Sequence, residues 1–286
     1  MIKNLYEKIL IEEPFPIYLE KCDQYLSSHQ LMDFARCPKL YHLKRTGALT
    51  VDPNKNSADM ILGRAAHTLI LEGRTVFDQS YAVGGPINDK TGKEFGRETQ
   101  TYAKWLADQK AEKGSALEAI TTDQWYVISN MAQSVKAHVE ASRLLKYGVA
   151  ERVVRTSLLD VPVQIRIDWL SVNDLFVHIV DLKTCNDLDA FVYDARKYLY
   201  GIQFAFYRTV FEEACRVEYG QRSRTRFFAI ATEKKEPFRV GVFEVADDTL
   251  DRYEKKNAEL INAFRECRNT NEWPTLYEDV RLLEIQ

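Results

Sequence analysis

The sequence lacks several features that would place it in a class at once. It has only five cysteines, at positions 22, 37, 185, 215 and 267, and no C-x-x-C pair. This odd, scattered set predicts neither a disulfide framework nor a zinc site. No apolar run approaches the roughly 20 residues that span a bilayer. The N-terminus also lacks the basic start and apolar core of a signal peptide. We therefore expect no membrane partner and a cytoplasmic location.

The sequence also lacks a basic excess, an internal repeat and a low-complexity tract. Its formal net charge is -3, which counts mildly against a nucleic-acid partner because such proteins often carry more Lys and Arg. An acidic active site would itself add negative charge, and a local groove can be basic on an acidic protein. The 286 residues are 45% hydrophobic. We expect a lead-in segment over 1–24 and a single elaborated domain over 25–286.

One stretch, residues 160–184, predicts a β-hairpin around which the rest of the chain is organised. Two apolar, β-branched runs, 161–170 and 175–182, flank a polar turn at 171–174. Around this hairpin, the hydrophobic periodicity predicts helices over 30–36, 38–43, 59–72, 101–110, 122–147, 199–213 and 250–268. Further strands are predicted over 153–159, 224–233 and 238–245, and an exposed loop or short ribbon over 84–96.

The hairpin brings two acids and a lysine to one edge of the predicted sheet. Asp168 lies inside the apolar run IRIDWL, where a carboxylate is costly unless it is paired or binds a metal. Asp181 and Lys183 point to one face because strand side chains alternate, and Leu182 points to the opposite, buried face. A D-x-K pair at a strand end is usually structural, but a second buried acid makes this a candidate site. Carboxylates that bind Mg2+ or Mn2+ beside a water-orienting lysine are suited to phosphodiester hydrolysis.

An ordered set of motifs resembles the PD-(D/E)XK nuclease superfamily. Its elements are G-x-x-x-H, D, D-x-K and Q-x-x-x-Y, at Gly63, His67, Asp168, Asp181, Lys183, Gln203 and Tyr207. The set is most similar to the RecB-like branch that includes the RecE-type nuclease domain of exonuclease VIII, as is the N-terminal segment LSSHQLMDFARCPKLYHL. Ile167 replaces the motif's proline, which is common in this branch. The resemblance implies an α/β, restriction-endonuclease-like core with a central mixed β-sheet flanked by helices.

The resemblance also implies a role for individual side chains. The expected metal is Mg2+, with Mn2+ able to replace it. Its expected ligands are His67, Asp168, Asp181 and the carbonyl of Leu182. The expected catalytic groups beside them are Lys183, Gln203, Tyr207 and Glu151. The expected DNA contacts are Ser28 and Arg36, which the resemblance places near phosphates, and Arg64 and Arg166, which could line a local basic groove. For His67 and Glu151 a purely structural role is the alternative. A lone helical histidine is often a packing residue, and Glu151 is placed to pair with a neighbouring arginine.

The function that the resemblance implies is a metal-dependent DNA exonuclease acting on duplex ends. The RecE likeness further implies 5′ to 3′ digestion, a 3′ overhang for a phage-type annealing protein in recombination, and a ring-shaped homo-oligomer. One alternative is a Cas4-like single-strand or structure-selective nuclease without an iron-sulfur cluster, since the C-terminal part offers only Cys215 and Cys267; we expect Cys37 to be a small buried residue. The other is a non-catalytic DNA-end-binding protein, which has no chemical need for this set of residues.

Overall fold

The computed structural model describes residues 5–49, 58–172, 176–221 and 223–283. Up to residue 144 its strands and helices are β1 (Ile11–Glu12), α1 (Phe15–Glu20), α2 (Ser28–Arg36), α3 (Pro38–Arg45), α4 (Ala58–His67), α5 (Arg74–Ser80), β2 (Tyr81–Val83), β3 (Ile87–Asn88), β4 (Lys93–Glu94), α6 (Gln100–Lys113), β5 (Glu118–Ile120), α7 (Thr122–Ala137) and α8 (Val139–Leu144). After residue 144 they are β6 (Gly148–Leu158), β7 (Val161–Val172), β8 (Val177–Cys185), α9 (Phe191–Lys197), α10 (Tyr200–Tyr219), β9 (Thr225–Glu233), β10 (Val240–Glu244) and α11 (Asp247–Thr270).

A six-stranded mixed sheet forms the centre of the fold, in the order β1-β6-β7-β8-β9-β10. The β6–β7 and β7–β8 pairs are antiparallel, whereas β8 and β9 are parallel. Parallel neighbours need a crossover connection, and α9 and α10 supply it. The predicted α/β fold, with an antiparallel part of a mixed sheet built by the hairpin and the strand before it, is confirmed. Residues 171 and 172 of the predicted turn belong to β7, and residues 173 and 174 lie outside the described residues.

Helices cover both faces of this sheet because its central strands are apolar on both sides. Ile179 of β8 and Phe227 of β9 face α10, whose Phe204, Phe206 and Phe211 are buried in the same cluster. The alternate residues of these strands face a second cluster on the opposite side, formed with helices α7 and α8 and including Val135, Leu144, Val180, Leu182, Phe228 and Ile230. The hairpin is therefore buried on both faces, except where its polar side chains reach an opening.

Two predicted helices differ from the structure. The helix predicted over 122–147 is wrong as one unit: it ends at Ala137, His138 has an extended ψ of 118°, and its Nδ1 accepts a hydrogen bond from the Ala141 N–H at the start of α8. The helix predicted over 59–72 is α-helical only to His67 and then forms a π-helical turn. Gly73 ends that turn with φ of 88°, a conformation that favours glycine.

Two smaller expectations are also corrected. The strand predicted to begin at residue 153 begins at Gly148, so Glu151 lies inside β6 and not before it. Cys37 is only partly buried, and its Sγ accepts a hydrogen bond from the Leu40 N–H at the start of α3. The five cysteines are all free thiols. In the described part of the chain, no helix is both long and apolar enough to cross a membrane.

Candidate active site

The site lies where two neighbouring strands stop pairing. The paired part of β7 and β8 ends at Trp169 and Val180, and the next positions in that register are Asp168 and Asp181. The Leu182 N–H donates a hydrogen bond to Asp168 Oδ2 at 2.8 Å. This N–H thus orients the Asp168 carboxylate instead of pairing with a backbone carbonyl of the neighbouring strand. The fork between the strands holds both acids of the hairpin.

Three side chains from different elements converge on one side of this fork. They are His67 at the end of α4, Glu151 on β6 and Asp168 on β7. Each offers one ligand atom, and these atoms all lie within 4.8 Å of one another. His67 Nδ1 is 3.6 Å from Asp168 Oδ2. Of the predicted set, the structure brings these three together as a group that could hold one metal ion.

Glu151 reaches this cluster through an unusual backbone. Its φ of 52° lies in the left-handed region, which costs a non-glycine residue roughly 1–2 kcal/mol. The β6–β7 register is the same on both sides of it, so Glu151 lies directly opposite Asp168. Its Oε2 accepts a hydrogen bond from Arg166 Nε at 2.6 Å. Strain of this kind persists where the surrounding structure enforces it, often at functional sites.

A second group lies on the β8 side of the fork. Lys183 Nζ is 2.5 Å from Asp181 Oδ2. Gln203 Nε2 on α10 donates to Asp181 Oδ1 at 3.2 Å. Tyr207, one turn further along α10, is buried and hydrogen-bonds to Gln203. Asp181 thus engages the lysine and the glutamine, and it lies outside the three-residue cluster to which we expected it to belong.

Burial, and then the charges in the fork, shift the pKa values of the cluster. Burial and then the Lys183 ammonium lower the pKa of His67 to about 4. Burial and then the Asp168 carboxylate raise the pKa of Glu151 to about 7, although Arg166 lowers it. Burial also raises the pKa of Asp168. His67 is therefore a neutral imidazole at pH 7, as a metal ligand must be.

The pKa values on the β8 side are shifted upward. Burial raises the pKa of Asp181, with the Lys183 ammonium opposing it. Burial lowers the pKa of Lys183, but the carboxylates of Asp181 and Asp168 together raise it by more, so the net direction is upward. Lys183 is an ammonium at neutral pH. The three carboxylates of Glu151, Asp168 and Asp181 outnumber the two cations beside them, Lys183 and Arg166, and a metal cation would offset the remaining negative charge.

The donor set fits a divalent metal ion. Carboxylate oxygens suit Mg2+, and one imidazole nitrogen beside them is accepted well by Mn2+. The ligand atoms of His67, Glu151 and Asp168 meet from three separate elements. Leu182 donates its N–H to Asp168. The expected role of its carbonyl as a metal ligand stays a prediction. The candidate metal site therefore consists of two expected ligands, His67 and Asp168, and of Glu151, which we expected to be catalytic.

Residues of the N-terminal segment contact Arg166, which binds Glu151. Strand β1 pairs with β6 beside Glu151, joining Glu12 to Arg152. The next residue, Glu13, accepts a hydrogen bond from Arg166 through its backbone carbonyl at 3.4 Å. The Arg166 guanidinium carbon lies 5.1 Å from the centre of the Phe15 ring. Arg166, an expected DNA contact, is thus a partner of the candidate ligand Glu151.

The other expected DNA contacts lie on helices α2 and α4. Ser28 begins α2 and is fully buried, and its Oγ has no hydrogen-bond partner within the described residues. Arg36 ends the same helix, about 12 Å away along its axis at 1.5 Å per residue. Arg64 is bound to Glu118, with its Nη2 2.8 Å from Oε1 and 3.0 Å from Oε2. The role of these residues as DNA contacts stays a prediction.

Two residues near the site were missed in the sequence. Burial and then the Lys183 charge lower the pKa of His29, which follows Ser28 at the start of α2. The Tyr200 ring centre is 5.0 Å from Lys183 Nζ. Tyr200 precedes Gln203 by three positions on α10, so the helical spacing of the Q-x-x-x-Y motif could have indicated it. For His29, the signal available was its place beside a predicted helix cap.

This arrangement defines the chain's class. A mixed sheet with an acid on one strand of an open hairpin and D-x-K on the next strand is the core of a PD-(D/E)XK nuclease fold. Residues 27–284 match a family described as a PDDEXK-like domain of unknown function. The chain belongs to that family, which confirms the superfamily predicted from the motifs. The finer likeness to RecE-type domains stays a prediction.

A solved structure agrees with this assignment. A crystal structure from Eubacterium rectale, of a protein described as a candidate exonuclease, is similar to this chain with a TM-score of 0.62 and 14% sequence identity. The similarity covers 96% of this chain and 97% of the other. At this identity the likeness shows a shared fold. No curated protein matches the chain.

Proposed function

We propose that the protein is a Mg2+-dependent exodeoxyribonuclease that digests duplex DNA from its ends, 5′ to 3′, and leaves 3′ overhangs for recombination. The observation that carries the hydrolytic part is the convergence of His67, Glu151 and Asp168 within 4.8 Å of one another at the strand fork. The Asp181–Lys183 pair lies beside them. A structural cluster of charges has no need of an imidazole, three acids and a lysine that are all at least partly buried at one opening.

The residues divide the work of hydrolysis between them. His67, Glu151 and Asp168 would hold Mg2+, with Mn2+ able to replace it, and the ion would neutralise phosphate charge in the transition state. Lys183, held by Asp181, donates a hydrogen bond to the attacking water or to a phosphate oxygen. Water then bonds to phosphorus as the bond to the leaving oxygen breaks; the attacking water gives a proton to solvent, and the leaving oxygen takes one from solvent. Gln203 fixes Asp181 and so fixes the lysine.

The substrate part of the proposal is supported by the resemblance to RecE-type domains. Duplex ends, the 5′ to 3′ polarity, a ring-shaped homo-oligomer and a single-strand annealing partner all come from that likeness. Light scattering of the purified protein tests the oligomer directly. A monomer at all concentrations would remove the ring from the proposal.

A time course on two DNA substrates tests the activity. Linear duplex carrying a 5′ label on one strand and covalently closed circular plasmid are incubated with Mg2+, each with an EDTA control. We expect early release of labelled mononucleotides or short oligonucleotides from the linear DNA and no change in the circle. Cutting of the circle would indicate an endonuclease. If neither Mg2+ nor Mn2+ supports cutting of either DNA, the protein would be a DNA-end-binding protein on a nuclease fold.

Two substitutions test the site. Asp181→Ala and Lys183→Ala each remove one member of the buried pair, and both should abolish digestion. Lys113→Ala, at the exposed end of α6, is the matched control and should digest at the wild-type rate. Wild-type rates in either site variant would refute the assignment of the active site.

A further inference from the structure

We propose that Tyr198 and Tyr200 form a stacking platform for an unpaired base of the substrate strand, next to the nucleotide being cleaved. This inference rests on the proposed nuclease function and specifies the substrate at the cutting position. It predicts that the strand end is single-stranded where it meets Lys183. The support comes from ring geometry, from backbone conformation and from charge.

The two tyrosines are the outer end of a row of aromatic rings. Ring centres are 4.6 Å apart between Phe227 and Phe204, 5.8 Å between Phe204 and Tyr200, and 6.0 Å between Tyr200 and Tyr198. Phe227 is fully buried in the sheet, whereas Tyr198 is 43% exposed. The row therefore runs from the core to the surface. Its inner rings hold its outer ring in place, so little ordering is needed when a flat ligand is added.

The row passes directly beside the proposed catalytic lysine. Lys183 Nζ is 5.0 Å from the ring centre of Tyr200 and 6.0 Å from that of Phe204. These contacts place Tyr200 next to the atom that would meet the attacking water. A base stacked on the exposed side of Tyr198 would then belong to a nucleotide adjacent to the scissile phosphate.

A strained residue sets the two rings side by side. Leu199 separates α9 from α10 and has φ of 61° and ψ of 33°, in the left-handed region. Its side chain packs against the hydrophobic core, which holds this conformation. The resulting sharp turn brings the rings of Tyr198 and Tyr200 to an interplanar angle of 30°. A leucine in this conformation is costly, and such outliers are concentrated at ligand-contacting positions.

The chemistry of the platform fits single-stranded nucleic acid. Lys197 Nζ lies 5.6 Å from the Tyr198 ring centre, and Arg196 beside it is exposed. Aromatic rings flanked by cations bind single strands because every base has a π face and every nucleotide a phosphate. In a duplex those faces are covered by neighbouring bases. The platform therefore selects a frayed end or a short overhang.

Fluorescence binding tests this inference without cleavage. A single-stranded oligonucleotide with 2-aminopurine near its end is titrated with protein, in EDTA and again with Ca2+. We expect wild-type protein to quench the probe and Tyr198→Ala to bind about tenfold more weakly, or about 1.4 kcal/mol, with the quenching lost. Tyr198→Phe keeps the ring and should bind as wild type does. Tyr193→Ala, at a 67% exposed position on α9 outside the row, is the control.

The outcomes separate this inference from the proposed activity. Wild-type affinity and quenching in Tyr198→Ala would overturn the platform, even if the nuclease digests DNA as proposed. No binding by wild-type protein would overturn it as well. Quenching that depends on the Tyr198 ring, in a protein that cleaves nothing, would support the platform and refute the activity. Thermal melts of each variant show whether it is folded.

Discussion

Glu151→Gln should stabilise the metal-free protein while weakening its metal binding. The Glu151 side chain is 14% exposed and faces Asp168, and its pKa is raised from 4.5 to about 7. Above pH 7 this shift corresponds to about 3 kcal/mol of destabilisation by the ionised carboxylate. Glutamine keeps one acceptor for Arg166 but loses the charge, at a cost of about 1 kcal/mol. The expected net gain is about 2 kcal/mol.

The sign of the pH dependence follows from the raised pKa. Because the folded state binds the Glu151 proton more tightly than the unfolded state, the wild type loses stability as pH rises from about 4.5 to about 7. The variant does not undergo this loss. The stability difference should be fully developed at pH 8 and fall below about 1 kcal/mol at pH 5.

Thermal and urea unfolding in EDTA at pH 8 and pH 5 measure this difference. At pH 8 we expect Glu151→Gln to melt about 3 °C above wild type. Added Mg2+ should raise the melting temperature of wild type more than that of the variant, because a ligand that binds only the folded state stabilises it. Glu140→Gln, at an exposed position on α8, should show no such dependence. A variant less stable than wild type at pH 8 in EDTA would refute the reasoning.

Three further substitutions have defined outcomes. Gln203→Ala removes the buried donor to Asp181 and should lower kcat about 10- to 100-fold, with a loss of about 1–3 kcal/mol of stability, whereas an unchanged kcat would exclude a positioning role. Glu233→Gln weakens two hydrogen bonds from Arg239, which hold the pKa of this acid at about 2. Urea denaturation should show that the variant loses about 1–3 kcal/mol of unfolding free energy at pH 7, and that this loss shrinks as the pH falls from 4.5 towards 2. Gly148→Ala would bring a methyl group within 2.6 Å of a backbone carbonyl and closer to an indole ring, and should destabilise by about 1–3 kcal/mol in the same assay.

The hairpin could be predicted because its features depend on local geometry. Asp181 and Lys183 share a face, and Leu182 is buried on the other, because side chains alternate along any strand. The position of Asp168 inside an apolar run indicated its burial. The order of the motifs then predicted the superfamily, which the family match confirms.

The remaining features depend on contacts between distant parts of the chain. The left-handed conformation of Glu151 is enforced by pairing on both sides of it, which no local pattern indicates. Arg166 was predicted to face DNA because it is basic, but its partners Glu13 and Glu151 come from other strands and segments. The division of labour between Asp168 and Asp181 depends on where the strands separate. The spacing of residues in the sequence does not indicate where the strands separate.

The support of Arg166 by Glu13 and Phe15 has a consequence for inheritance and engineering. Both residues precede position 27, where the family match begins. The contacts that support the candidate site therefore extend beyond the residues that match the family. Substitutions confined to residues 11–20 can retune the acid opposite Asp168 while every signature motif stays unchanged. Two proteins with the same motifs but different leading segments would then differ in metal affinity, and grafting one segment onto another domain would transfer that difference.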